Sequence, residues 1–239
     1  MISEIEEVRN ITAGVDGWLA DDEGELLFNL AKSCKGKGAI VEIGSWKGKS
    51  TIWLGKGSIA GNNVKVWAID PHTGSHEHHQ IFGKVWTFDD FKKNIKRAGL
   101  EGIIVPVVAS SEQAASSFHE PVELIFIDGA HDYESVKADF ELWFPKVIEG
   151  GTMVFHDTTY AEGPWRVVEK NLYGSRSFGL VHLIDSITFA QKVKRNSTND
   201  RFRNFSAVCI RRVPKPTRRL LPAPMKLLVR KIMTAAGMS

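Results

Sequence analysis

Two short stretches of the 239-residue chain gather residue types that do chemistry. The first, VEIGSWKGKS over residues 41–50, sets a carboxylate beside two glycines and two lysines. Backbone N–H groups of such a turn can surround a phosphate when the spacing is right. The triphosphate pattern G-x-x-x-x-G-K-[ST] requires a glycine five residues before Gly48, where Ile43 stands. Glu42 would also face the phosphate, and two like charges about 4 Å apart cost on the order of 4 kcal/mol at an effective dielectric near 20. The dinucleotide pattern G-x-G-x-x-G fails as well, because Trp46 occupies its second glycine. An acid at a glycine turn suits a guest with positive charge and no phosphate.

The second stretch, residues 125–158, places Asp128 and His131 three apart at one apolar run's end and His156-Asp157 at the end of the next. If these runs are neighbouring strands, all four side chains reach one pocket. Carboxylates and imidazoles are donors for a divalent cation, and a histidine with a pKa near 6.5 accepts a proton at neutral pH. Asp132 reads as the N-cap of the helix that follows.

The elements that must position these groups are legible in the hydrophobic pattern. Ala39–Ile43, Val64–Ile69, Ile103–Val108, Val122–Ile127 and Thr152–Phe155 are nearly all apolar, as expected of strands covered on both faces. Helices are expected over Asp22–Ser33, from Ser50, and over Phe88–Ala98, Glu112–Phe118, Tyr133–Val147 and Trp165–Leu172, with Gly150-Gly151 as a stop. Leu180–Val193 and Phe205–Arg211 read as two strands joined by the polar stretch Arg195–Arg203. The fold class is therefore α/β: a Rossmann-like, doubly wound, mostly parallel seven-stranded sheet with a C-terminal antiparallel hairpin. An N-terminal helical cap over 1–36, a main domain over 37–212 and a basic, Pro-containing tail over 213–239 divide the chain.

Composition narrows the class. Hydrophobic residues at 43% and charged ones at 25% are globular values, which argue against disorder or a fibre. Cys34 and Cys209 form no CxxC or Cys/His spacing, so no zinc site or disulfide framework is expected. Acids in the opening MISEIEEVRN and the lack of an eighteen-residue apolar run indicate a cytoplasmic protein without export signal or membrane span. From Arg211 onward there are eight basic residues and no acid, so without the tail the net charge of +3 becomes −5. The sequence pI near 8.8 is thus no argument for nucleic acid, and no nucleic-acid partner is expected. The apolar and basic alternation over Met225–Met233 suits peripheral membrane or subunit contact through the tail.

The motif Glu42-x-Gly44-x-x-x-Gly48, with Asp70 ending the second strand, resembles the first motif and ribose-binding acid of class I S-adenosylmethionine-dependent methyltransferases. Asp128, His131 and the 156–157 pair are similar to the metal-assisted branch that includes macrolide-sugar O-methyltransferases and cephalosporin-biosynthesis methyltransferase relatives, over residues 14–190. The resemblance implies that 37–212 binds S-adenosylmethionine through Glu42, Gly44, Ser45, Gly48, Ser50, Asp70, Ser110 and Asp128. It implies a divalent cation, Mg²⁺ or Mn²⁺, on Asp128, Asp157 and His156, with Asp128 and His131 catalytic and His131 as general base. His156 stands where the relatives carry a glutamate, and imidazole suits Mn²⁺ better than the harder Mg²⁺. The expected activity is O-methylation of a small hydroxylated metabolite or sugar by a homo-oligomer. Metal-independent transfer, a non-catalytic cofactor-binding module, and a nucleotide hydrolase or dehydrogenase are the alternatives. The histidine-rich stretch 70–86, with His72, His76, His78 and His79, is expected to cover the substrate, and Trp46, Trp86 and Trp165 to line its pocket.

Overall fold

The structure, a computed structural model, describes residues 3–74 and 84–212. The tail and most of the histidine-rich stretch, including His76, His78 and His79, lie outside the described residues. Helices α1 (Glu4–Thr12) and α2 (Asp21–Ser33) precede strand β1 (Ala39–Ile43). Next come α3 (Lys49–Ala60), β2 (Val66–Ile69), α4 (Phe88–Arg97), β3 (Ile104–Val107), α5 (Ser111–Ser117), β4 (Val122–Ile127), α6 (Tyr133–Trp143) and β5 (Val147–Phe155). After α7 (Glu162–Val168) and a π-helical turn over Glu169–Tyr173, β6 (His182–Ile184), β7 (Ile187–Gln191) and α8 (Thr198–Arg212) complete the described chain. Among the described residues no helix is long and apolar enough to cross a membrane.

The strands form one sheet in the order β3-β2-β1-β4-β5-β7-β6. The first five in that order run parallel, and β7 is antiparallel to both β5 and β6. Each parallel strand is apolar on both faces because helices cover both. Val41 and Ile43 face one core with Ile125, Ile127 and Phe155, while Ile40 faces the other with Ile52 and Trp53 of α3 and Leu27 and Phe28 of α2.

The register sets the site. Ile43 pairs with Ile69 on one side and Ile127 on the other, and Ile127 pairs with Phe155. Four strands therefore end level, and the next residue of each, Gly44, Asp70, Asp128 and His156, emerges along one edge. Gly44 has φ 87°, and a Cβ there would collide with the Asp128 carbonyl, so only glycine lets the β1 turn pass this close to β4.

The expected hairpin exists but is built from different residues. Both of its strands, β6 and β7, lie within Leu180–Val193 around a two-residue turn, Asp185-Ser186. Phe205–Arg211 belongs to α8, not to a strand. Alternation of Phe205, Ala207 and Cys209 mimics a strand, yet the buried positions are Asn204, Ala207 and Val208, a helical spacing. Asn204 holds the helix against the hairpin: its Oδ1 accepts from the Val181 N–H at 3.0 Å and its Nδ2 donates to the Gly179 carbonyl at 3.0 Å. Gly150 and Gly151 do not end an element; β5 starts at Val147 and runs through both.

Asn204 is completely buried, so Asn204→Ala strands a backbone donor and acceptor. A loss of about 2–4 kcal/mol is expected, which at this chain length is a fall of roughly 4–16 °C in melting temperature. Thermal unfolding followed by circular dichroism measures it.

Candidate active site

The level strand ends open into a cleft of about 1120 Å³. Its wall includes Gly44, Ser45, Trp46 and Ser50 from the β1 turn and α3, Asp70 after β2, Ser110 after β3, Asp128 and His131 after β4, and His156 and Asp157 after β5. Of the residues expected at the cofactor, only Glu42 and Gly48 do not border it.

Asp70 organises the glycine loop. Its Oδ2 accepts the Trp46 N–H at 2.7 Å and its Oδ1 accepts the His72 N–H at 2.6 Å. These bonds hold Trp46 at φ 45° and His72 at φ 58°, backbone that an isolated residue avoids. Gly48, at φ 89°, supplies the left-handed residue that starts α3, packed against Phe91 and Ile95. Ser45 is buried, and its Oγ, on the cleft wall, has no partner among the described residues. Lys47 is engaged by Asp16 at 3.0 Å and Asp90 at 3.3 Å, and Lys49 donates to the Gly17 carbonyl. The two lysines that a phosphate loop would aim at its ligand are thus committed to the N-terminal segment and α4.

The expectation that Glu42 faces the guest is corrected by strand parity. Glu42 shares the face of Ile40, beneath the first turn of α3, and is 0% exposed. Its Oε2 accepts from Thr51 Oγ1 at 2.5 Å, the Ser50 hydroxyl also favours the charged form, and its Oε1 is buried without a partner among the described residues. Burial pushes its carboxyl up to about 8, against the pull of those two hydroxyls.

The chemical centre lies across the cleft. His131 Nε2 is 3.2 Å from Asp157 Oδ2 and 4.0 Å from Asp128 Oδ1. The neighbouring carboxylates of Asp128 and Asp157 push this imidazole up to about 10, outweighing its partial burial. Asp157 occupies left-handed backbone at φ 54°, which asparagine and aspartate tolerate better than most residues. Burial alone would raise Asp157, but the bonds from His131 and His156 hold it well below the usual carboxylate range. Gly163 of α7 packs directly on the His131 carbonyl, where any Cβ would collide, and fixes the loop that presents the imidazole.

The trio expected at a cation was Asp128, Asp157 and His156. Among the described residues, Asp128, His131 and Asp157 also bring donor atoms within 4.8 Å of one another. His156 is buried behind them with both ring nitrogens engaged: Nδ1 at 3.0 Å from Asp128 and 3.4 Å from Asp157, Nε2 at 3.1 Å from Glu23. A carboxylate only accepts, so two faced nitrogens describe an imidazolium. Burial opposes that charge, but the carboxylates overcome it and push His156 up to about 12.

Glu23, on the first turn of α2, was not anticipated. Its Oε1 accepts from the Ser186 N–H at 3.0 Å and from Ser186 Oγ at 2.5 Å, and its Oε2 accepts from the Ala20 N–H at 3.0 Å. Burial would raise its carboxyl, yet the bonds from His156 and Ser186 leave it lowered. The local pattern offers only an acid in a helix's first turn, which normally meets the helix dipole and solvent. Asp139 of α6 also borders the cleft, its carboxyl pushed up to about 6 by burial. Trp18 and Tyr160 stand exposed at the cleft rim, whereas Trp86 and Trp165 do not border it. Trp165 is covered by the Arg211 guanidinium at 3.6 Å.

Because Glu42 is protonated in the fold and releases its proton above about 4.5 when unfolded, native stability falls as pH climbs from about 4.5 to about 8. Glu42→Gln keeps the acceptor for Thr51 and removes that loss. Its melting temperature should exceed that of the parent at pH 8 and match it at pH 4, as scanning calorimetry at the two values would read.

Comparison with known proteins finds similarities over the residues that build the cleft. Residues 41–158 match a family model described as a methyltransferase domain. An uncharacterized protein of Sinorhizobium fredii is 29% identical over 139 residues, 53% of this chain and 14% of that protein. An uncharacterized protein of Acanthamoeba polyphaga mimivirus is 28% identical over 144 residues, 59% of this chain and 60% of its own. The chain thus spans less than two thirds of the length of these curated relatives. Among solved structures, an O-methyltransferase from Bacillus cereus in complex with S-adenosylhomocysteine shares the fold at TM-score 0.54 and 21% identity, covering 79% of this chain and 90% of that one. The family-model match begins on the strand bearing the glycine loop and ends one residue past Asp157, so the stretch that carries most of the cleft's chemistry is similar to a methyltransferase domain.

Proposed function

We propose that the chain transfers the methyl group of S-adenosylmethionine to a hydroxyl of a small metabolite such as a sugar or glycoside, with His131 taking the hydroxyl proton. The observation that carries this reading is the convergence of Asp128, His131 and Asp157 in the same cleft as the glycine loop. The partnerless Ser45 Oγ and the loop-holding Asp70 are the cofactor's contacts, in a turn whose lysines point elsewhere. The Bacillus cereus neighbour's activity supports oxygen as the acceptor atom.

Methyl transfer is an in-line displacement, for which a neutral hydroxyl is a weak nucleophile. His131, oriented by Asp157, accepts its proton; Asp128 and Asp157 align the acceptor beside the sulfonium. The donor set fits a hard dication held by Asp128 and Asp157. With His156 protonated and His131 neutral, Glu23, Asp128 and Asp157 leave two negative charges to match it. His156 takes no ligand position, so its imidazole does not count against Mg²⁺. Such an ion, when bound, supplies Lewis-acid polarisation of the acceptor hydroxyl.

Metal-independent transfer is the second reading. It is favoured by the buried imidazolium of His156, which already sets positive charge beside both aspartates.

S-adenosylmethionine is expected to raise the melting temperature, by about 2.7 kcal/mol of stabilisation at a hundredfold excess over Kd, where ATP and NAD leave it unchanged. Stabilisation by the nucleotides alone would end the reading. His131→Ala should lower kcat by about 10²- to 10⁴-fold while calorimetry shows unaltered cofactor affinity; wild-type turnover in that variant would remove His131 from the chemistry.

The pH profile separates the two readings. A base whose pKa is raised is freed only as pH increases, so EDTA-treated protein should gain activity toward about pH 10. Mg²⁺ or Mn²⁺ at the two aspartates should move that limb to lower pH. A limb indifferent to both EDTA and added cation selects the metal-independent reading.

A further inference from the structure

The two ends of the chain differ sharply in charge. Residues 192–239 contain thirteen Lys and Arg and one acid, Asp200, whereas residues 1–191 contain eighteen Lys and Arg and 27 acids. The basic segment therefore carries a net +12 and the remainder −9. Its described part is the stretch after β7 and α8, and α8 is two-faced. Asn204, Ala207, Val208 and Ile210 are buried, while Phe202 and Phe205, one turn apart, are each 66% exposed. Exposed Cys209 extends that stripe by another turn, and exposed Lys194, Arg195 and Arg201 flank it. Asp200 is committed to capping, accepting from the Ser197 N–H and hydroxyl.

We propose that this outer face of α8 docks the protein on an anionic lipid surface. Two neighbouring aromatic rings ringed by cations have the composition of an interfacial helix: the rings enter the boundary between headgroups and chains, and the cations meet lipid phosphates. The sequence beyond α8 continues the pattern, setting Leu227, Leu228 and Ile232 among Lys226, Arg230 and Lys231 without an acid.

Charge and composition decide against the other occupants. A second copy apposed through the same face would bring like charges together, since an isologous contact sets a patch against itself. Single-stranded nucleic acid is gripped by aromatics interleaved with basic residues, as Arg201, Phe202 and Arg203 are; the apolar residues that follow in sequence, Leu227, Leu228 and Ile232, are aliphatic, with no stacking role but soluble in lipid.

The face lies apart from the cleft, which neither phenylalanine borders. It is nonetheless tied to it: Arg211 at the end of α8 donates to the carbonyl of Thr158, the residue after Asp157. Docking would therefore hold the cleft near a bilayer without occupying it.

Flotation of the whole chain with vesicles tests this. Binding to phosphatidylcholine vesicles containing phosphatidylglycerol is expected at low ionic strength, with little on phosphatidylcholine alone, and each Lys or Arg at the surface should contribute about fivefold in affinity. Raised salt should release the protein. Phe202→Ser with Phe205→Ser should weaken binding about tenfold or more. Its thermal unfolding and affinity for S-adenosylmethionine should stay at parental values, which shows that the variant is folded and leaves the methyltransferase reading independent of the outcome. Equal binding to both vesicle types, no binding at low salt, or full binding by the double variant overturns the proposal. So does an oligonucleotide that displaces the protein from the vesicles at equal charge concentration, or a double variant that changes oligomeric mass but not flotation.

Discussion

The parallel ladder's register is the constraint on which the site depends. A parallel strand cannot slide by one residue without turning every side chain to the opposite face, so burial on both faces locks the pairing of Ile43 with Ile69 and Ile127, and of Ile127 with Phe155. With those pairs fixed, Gly44, Asp70, Asp128 and His156 have no choice but to leave the sheet side by side. The glycine then allows two of the strand ends to approach closely enough for one ligand to span them.

Beneath that edge lies a polar cluster that would be costly if incomplete. Glu23, Asp128, Asp157 and His156 come from α2, the end of β4 and the end of β5, and Ser186 joins them from the hairpin turn. An unpaired buried charge costs several kcal/mol, so each element must dock for the others to be satisfied. Helix α2 and the antiparallel hairpin thereby become part of the cleft's edge, although neither contributes a strand to the parallel ladder. His156 sets one positive charge behind the carboxylates of Glu23, Asp128 and Asp157, and His131 is left to face the cleft.

Much of this was legible beforehand, and the exceptions share a cause. Strands β1 to β5 are short apolar runs whose ends are marked by a glycine or an acid, and Asp132 caps α6 by accepting from the Ser135 N–H, as its position suggests. Phe205–Arg211 was misread because seven residues of alternating polarity do not distinguish period 2 from period 3.6; the buried Asn204, which decides the matter, looks like a loop residue in isolation. Glu42 was misplaced for a related reason. Its distance from Gly44 is the same whichever side of the strand it occupies, and only the packing of Ile40 against α3 reveals that side.

The sequence by itself determined the α/β class, the order of the strands' chemistry-bearing ends and the presence there of Gly44, Asp70, Asp128, His131 and Asp157, which all border the cleft, because each is written in local spacing and polarity. Tertiary structure alone decided that His156 is a buried counter-charge, that Glu23 is its partner 133 residues away, and that Glu42 serves the loop from behind. Those assignments depend on which groups share a dry, low-dielectric space. That is a property of several elements packed together and of no single segment.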